Sequence, residues 1–184
     1  DGVGQLQARK VDVTDRRQLT ELVAWFEDEI GPLSIVVNAA GMNIRDRSMD
    51  AMSPEQWDQV LAVNATGAYN VLWAVLPVLR AQRKGTILQH TSMARQRALE
   101  LSCVAYASSK FAMTALGTAV GQEEAQHGIR ITNVYPGEVD TPLLDEPPVP
   151  LSQEHRASIL QPESVARLIV TICELPPQAH VPEV

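Results

Sequence analysis

Tyr106 and Lys110 stand four residues apart in Tyr106-Ala-Ser-Ser-Lys110, and Ser92 lies a short loop upstream. On a helix, residues i and i+4 share a face, so the ammonium of Lys110 can lie beside the phenol of Tyr106. A free phenol has a pKa of about 10, too high for a base at neutral pH. A fixed neighbouring cation favours the phenolate and lowers that value. A serine hydroxyl close by can hold the oxygen of a carbonyl or alcohol. Together the three side chains can move one proton on or off a substrate oxygen.

Four other segments fall in a fixed order around this set. Asp12-Val13-Thr14 closes an expected early strand, and Asn38-Ala39-Ala40-Gly41 follows Ile35-Val36-Val37. Asn64 lies in Val63-Asn64-Ala65-Thr66-Gly67, and Pro136-Gly137-Glu138-Val139-Asp140-Thr141 follows a stretch ending at Tyr135. With Thr91-Ser92 and the Tyr106/Lys110 pair, the order and spacing resemble the short-chain dehydrogenase/reductase family over nearly the whole chain.

The resemblance implies a doubly wound α/β domain of Rossmann-like type. It implies an NAD- or NADP-dependent oxidoreductase that interconverts a secondary alcohol and a ketone, with Tyr106 as general acid and base. By the same resemblance, Ser92 holds the substrate oxygen. Lys110 lowers the tyrosine pKa and bonds the nicotinamide ribose. Asn64 uses its backbone carbonyl to hold a water that links Lys110 to solvent. Asp12 and Val13 are expected at the adenine, and Asn38, Ala39 and Gly41 at the adenine ribose and the central strand edge. Pro136, Gly137, Val139 and Thr141 are expected at the nicotinamide. A relative that binds a nucleotide or a partner without turnover is the alternative. The family usually has glycine near Arg95; here Arg95 and Arg97 are either solvated or aimed at an anionic substrate group.

The elements that must position these groups follow from periodicity. Residues 7–13 read as a strand. A helix starting at Asp15 carries Leu19, Leu22, Val23, Phe26 and Ile30 on one face, and Gly31-Pro32 stops it. Residues 34–38 form a nearly apolar strand, the pattern expected where helices cover both faces of a sheet. Ser53-Pro54-Glu55 opens a helix with proline at its first position. A second helical stretch over 65–83 has Ala68, Leu72, Val75, Leu76 and Leu79 on one stripe and a bend at Pro77. Strands at 85–89 and 129–135 flank a long helix at 102–127 that carries Tyr106 and Lys110. A proline-rich loop over 136–151 precedes a helix opening at Pro162-Glu163, with Val165, Leu168, Ile169 and Ile172 inward. Residues 180–184 begin a last strand. Strands alternating with helices imply a mostly parallel sheet.

In the family, a first strand, a glycine-rich phosphate turn, a helix and a second strand stand ahead of the segment matched by Asp1. Gly2-Val3-Gly4 is not that turn, because it lacks the third glycine and leads into a strand. A chain starting at Asp1 would leave a gap in the middle of its sheet. Residues 1–184 are therefore expected to be one Rossmann-like domain, incomplete at its start and at its end. The residue that chooses NAD or NADP would follow the second strand, so the sequence leaves that choice open.

Composition bounds the rest. A chain of 184 residues with 45% hydrophobic content can build one core. Its net charge of −7, with no basic block, argues against nucleic acid. Cys103 and Cys173 form no framework, which favours free buried thiols and a reducing, cytoplasmic setting. The four histidines show no ligand spacing, so no metal is expected. No run reads as long enough to span a membrane. The expected partner is a small alcohol or ketone. Substrate choice is expected in the loops 42–52, 93–102 and 143–151, the last either a lid or an open loop. Self-association into a homodimer or homotetramer through the two long helices is implied by resemblance only.

Overall fold

The computed structural model describes residues 6–95, 103–145 and 152–184. The sheet has three parallel strands in the order β1 (Ile35–Asn38), β2 (Gly85–His90), β3 (Ile129–Val134). Ile35 pairs with Thr86 and Asn38 with Gln89; across the next ladder Ile87 pairs with Ile131 and His90 with Val134.

Period-2 alternation divides the sheet's apolar side chains between two layers. Ile87, Ile131 and Val36 face a core made by α1 (Arg16–Glu29), α3 (Gly67–Gln82) and α4 (Val104–Glu124), with Val23, Leu72, Val75, Leu76 and Leu79 buried in it. Leu88 and Val134 point the other way, onto Ile169, Ile172 and Cys173 of α6 (Pro162–Cys173). Helices on both sides of a parallel sheet make this a Rossmann-like α/β fold.

Local chemistry sets the helix ends. Asp15 caps α1 by accepting from the Arg17 and Gln18 amides. Ser53 and Gln56 form a reciprocal capping box at the start of α2 (Pro54–Leu61), with proline in the first turn. No break separates α2 from α3: a π turn over Ala62–Thr66 joins them into one 29-residue helix. By length and composition that helix could cross a membrane, contrary to the sequence expectation, although half of its most apolar window is buried in the molecule.

Four further expectations are corrected. Residues 7–13 make no strand, because a strand needs a hydrogen-bonded neighbour and this segment has none among the described residues. The β1 face opposite the main core is open, with Ile35 45% and Val37 43% exposed, because α6 covers only β2 and β3. Leu168 turns outward on α6, and Cys173 is only half-buried. A six-residue helix that the sequence did not announce, α5 (Gln153–Ser158), precedes α6. The end of the chain runs beside β3, where Glu183 bridges Asn133 in parallel sense. Residues 96–102 and 146–151, and with them Arg97 and most of the expected lid, lie outside the described residues.

Candidate active site

Helix α4 brings Tyr106 and Lys110 to one face, with the Lys110 Nζ 5.5 Å from the centre of the tyrosine ring. The helix starts under local strain. Cys103, its N-cap, has φ 71° and supplies no side-chain cap, yet it is buried among Ile44, Val60 and Ala105. The Lys110 side chain lies inward, only 4% exposed, and donates to the His90 carbonyl at 2.9 Å with the Met113 sulfur at 3.9 Å.

Ser92 stands at the carboxyl end of β2, the edge where open α/β sheets bind ligands. Thr91 extends the β2–β3 pairing by donating to Val134, and Met93 N–H donates to Pro136 O at 3.0 Å. The Ser92 hydroxyl accepts from the Ala94 amide at 3.1 Å and is hydrogen-bonded to the Tyr106 phenol. Serine, tyrosine and lysine thus meet as their spacing suggested.

The electrostatics differ from the expectation. Burial pushes the Tyr106 phenol above its ordinary value; the Ser92 hydrogen bond and the charge of Arg47 pull it down by less. The same burial brings Lys110 down to about 8. Lys110 therefore does not by itself hold the phenol acidic. Desolvation acts on both groups and favours their neutral forms.

Asn64 is fully buried inside the π turn, where the Gly67 amide reaches back five residues to Ala62. Such wide turns redirect side chains and recur at functional sites. Its side chain accepts from the Met42 amide at 2.8 Å and donates to the Met42 carbonyl at 2.9 Å and to the Ser109 hydroxyl at 3.0 Å. Ser109 then donates to the Tyr106 carbonyl at 2.7 Å. Asn64 ties the loop after β1 to the helix carrying Tyr106. Ser109 was within the quoted pentapeptide but not singled out, because its partner lies 45 residues away in sequence.

Of the expected cofactor residues, Asn38, Ala39, Gly41, Pro136 and Gly137 lie at or just beyond the carboxyl ends of β1 and β3. Ala39 and Gly41 are exposed just beyond β1, and Asn38 donates from its buried side chain to Gln89. A Cβ on Gly41 would stand 3.5 Å from both Asn64 Oδ1 and Lys110 Nζ, so this backbone lies directly against the site. Asp12 is exposed and accepts from the Thr14 amide and hydroxyl, which holds its carboxyl below the usual range. Val13 presses on α3 so closely that a Cβ on Gly67 would come within 2.7 Å of it, and Asn70 donates to the Val13 carbonyl. Pro136 touches the Ser92 loop, and Gly137 has open space about its Cα. Val139 bridges Leu160, and Thr141 is half-buried beside the turn Pro142–Asp145. The Arg156–Asp140 ion pair and a hydrogen bond between His155 and Glu138 fasten α5 to this loop.

The short-chain dehydrogenase family model matches residues 3–148. The chain belongs to the short-chain dehydrogenase family. It is 33% identical over 134 residues to an uncharacterised oxidoreductase of Staphylococcus epidermidis, covering 73% of this chain and 57% of that protein. It is 31% identical over 172 residues to a 3-oxoacyl-[acyl-carrier-protein] reductase of Thermotoga maritima, covering 91% and 69%. The chain thus spans a part of the length of the curated relatives it matches. Among solved structures, an alcohol dehydrogenase from Thermococcus sibiricus complexed with 5-hydroxy-NADP superposes with a TM-score of 0.82 at 26% identity, over 95% of this chain and 71% of that one. An NADP-bound structure of ElxO at 22% identity and a TM-score of 0.84 shares the fold.

Proposed function

We propose that this short-chain dehydrogenase chain carries the proton-transfer core of an NAD(P)-dependent oxidoreductase acting between secondary alcohols and ketones. The observation that carries the reading is the Tyr106 phenol, hydrogen-bonded to Ser92 and sharing a helix face with Lys110. The relatives' names supply the reaction class: a reductase of oxoacyl groups, an alcohol dehydrogenase with an NADP derivative, and NAD-dependent oxidoreductases of Mycobacterium tuberculosis.

The residues present fit a dinucleotide. Small, exposed Ala39 and Gly41 line the carboxyl edge of β1, Gly137 leaves space beyond β3, and Lys110 has its ammonium at the same edge. Asp12 and Val13 would hold the adenine, Asn38, Ala39 and Gly41 its ribose, Lys110 the second ribose, and Pro136, Gly137, Val139 and Thr141 the nicotinamide. The nicotinamide supplies or accepts the hydride.

The protein handles the proton. Ser92 and Tyr106 bind the carbonyl oxygen, and the phenol, kept protonated by burial, donates as negative charge develops there. Lys110 and a water at the Asn64 carbonyl return the proton from solvent. Exposed Tyr69 and Trp73 on α3 and Phe111 on α4 support self-association through those helices.

Tyr106→Phe is the test. Turnover on a ketone panel should fall about 10²- to 10⁴-fold, the share of one general acid, while the fluorescence of reduced nicotinamide still reports binding. Near-normal turnover in that variant would sink the mechanism; binding without turnover in the unaltered chain would favour a non-catalytic relative.

A further inference from the structure

Asn70 interrupts the buried stripe of α3 beside Ala68, Val71 and Leu72, and is itself 1% exposed. A buried amide costs stability unless its polar atoms are bonded, and here both are. Its Oδ1 accepts from the Arg16 Nε–H at 2.8 Å. Its Nδ2 donates to the Val13 carbonyl at 3.0 Å and lies 3.5 Å from the carbonyl of Thr14. A guanidinium only donates, so Arg16 fixes which way the amide is turned: oxygen toward α1, nitrogen toward the two carbonyls. Arg16 is exposed, with its guanidinium 5.6 Å from the centre of the Tyr69 ring.

One turn earlier on the same helix face, Gly67 lets the Val13 side chain rest against the α3 backbone. Glycine and amide together seat one segment, Asp12-Val13-Thr14. That segment is otherwise closed on itself. The Asp12 Oδ1 accepts from the Thr14 amide and hydroxyl, the Asp12 carbonyl accepts from the Asp15 amide, and the Asp12 amide donates to Gln18 Oε1. The other carboxylate oxygen, Oδ2, has no bond among the described residues, and the side chain is exposed. A carboxylate oxygen held still at the surface can accept from an exocyclic amine such as that of adenine.

We propose that Asn70, oriented by Arg16, is a positioning residue for dinucleotide binding. It holds Asp12, Val13 and Thr14 in the shape that receives adenine, and so sets affinity for the adenylate half of the cofactor while leaving proton transfer alone. This rests on the placing of adenine in the reading above and names what keeps that place in shape. The bonds that do so span 54 to 57 residues of sequence, so no spacing singles Asn70 out.

The test titrates the full chain with ADP-ribose and with nicotinamide mononucleotide in a calorimeter. Asn70→Asp keeps the size of the side chain and its bond from Arg16, but turns an acceptor onto two carbonyls. It should weaken ADP-ribose about tenfold or more, the scale of a lost buried hydrogen bond, and change nicotinamide mononucleotide less than about twofold. In steady state, KM for NADH or NADPH should rise while kcat at saturation is kept. Unchanged affinity for ADP-ribose overturns the proposal. So does a loss of both ligands in proportion to a fall in Tm, which is an effect on stability alone. Should Asn70→Asp not fold, Arg16→Met alters an exposed side chain and should show the same selective loss at about threefold; unchanged affinity there overturns the proposal too. The two readings fail separately. If ADP-ribose binds in an Asn70-dependent way but no ketone is turned over, the proposal stands and the dehydrogenase reading fails. Turnover with an affinity indifferent to Asn70 does the reverse, and a chain that binds neither ligand fails both.

Discussion

Helix α4 buries one charge near each end and treats the two in opposite ways. Glu124, in its last turn, is 1% exposed and accepts two bonds from the guanidinium of Arg80 on α3, one of them at 2.8 Å. That pairing holds its carboxyl below the ordinary range. Lys110, near the other end, is 4% exposed and meets a carbonyl, a sulfur and an aromatic face, with no carboxylate in range among the described residues. Its pKa falls to about 8. A buried charge with a fitted counter-charge supports packing. One without a counter-charge costs stability, and a fold keeps it where a ligand or a reaction uses it.

Removing the lysine should separate the two roles most sharply. Lys110→Met is expected to lower ketone turnover about 10²- to 10⁴-fold while leaving Tm unchanged or higher, since a desolvated ammonium is replaced by a thioether chain. Steady-state rates and a thermal melt measured on the same preparation check this. A fall in Tm of several degrees would mean that Lys110 is structural after all.

The next effect is on the alkaline side. Below pH 8, Lys110 is charged in both the folded and unfolded chain, and folding carries the whole penalty. Between about 8 and the ordinary lysine value of 10.5, the unfolded chain binds more protons than the folded one, so stability should rise with pH in that window. The full span corresponds to something on the order of 3 kcal/mol. Urea midpoints between pH 7.5 and 10 should show the rise in the unaltered chain and lose it in Lys110→Met.

The smallest effect belongs to the other end of the helix. Glu124→Gln should lower stability by about 1–2 kcal/mol, or about 3–6 °C in Tm at pH 7. Arg80 is half-exposed, so solvent screens part of the pair. The contribution of Glu124 is present above the ordinary carboxylate pKa and is lost as pH falls through its depressed value. The difference between the two proteins should therefore shrink in acid, and turnover should change little. A loss of activity larger than the loss of stability would erase the contrast between the two ends.

The parts of the site legible in the sequence are those that a single helix or turn determines. Tyr106 and Lys110 meet because four residues of α-helix return the chain to one face. Ser53-Pro54 starts α2 because its cap needs only the next turn. The bond from Asn64 to Ser109, the bond from Asn70 to Val13 and the carbonyl of His90 under Lys110 all join residues distant in sequence. No periodicity announces them. The strand expected over residues 7–13 failed for the same reason, since its definition lies in a neighbour and not in its own alternation.

The sequence by itself determined the family, most of the order of the elements, and that Tyr106 and Lys110 share a helix face, because turn chemistry and side-chain period act over a few residues. Only the tertiary structure decided the protonation preferences, with both phenol and ammonium pressed toward neutrality, and the place of Asn70. Desolvation and Coulomb forces depend on what packs around a group, and that is set when distant segments close on one another.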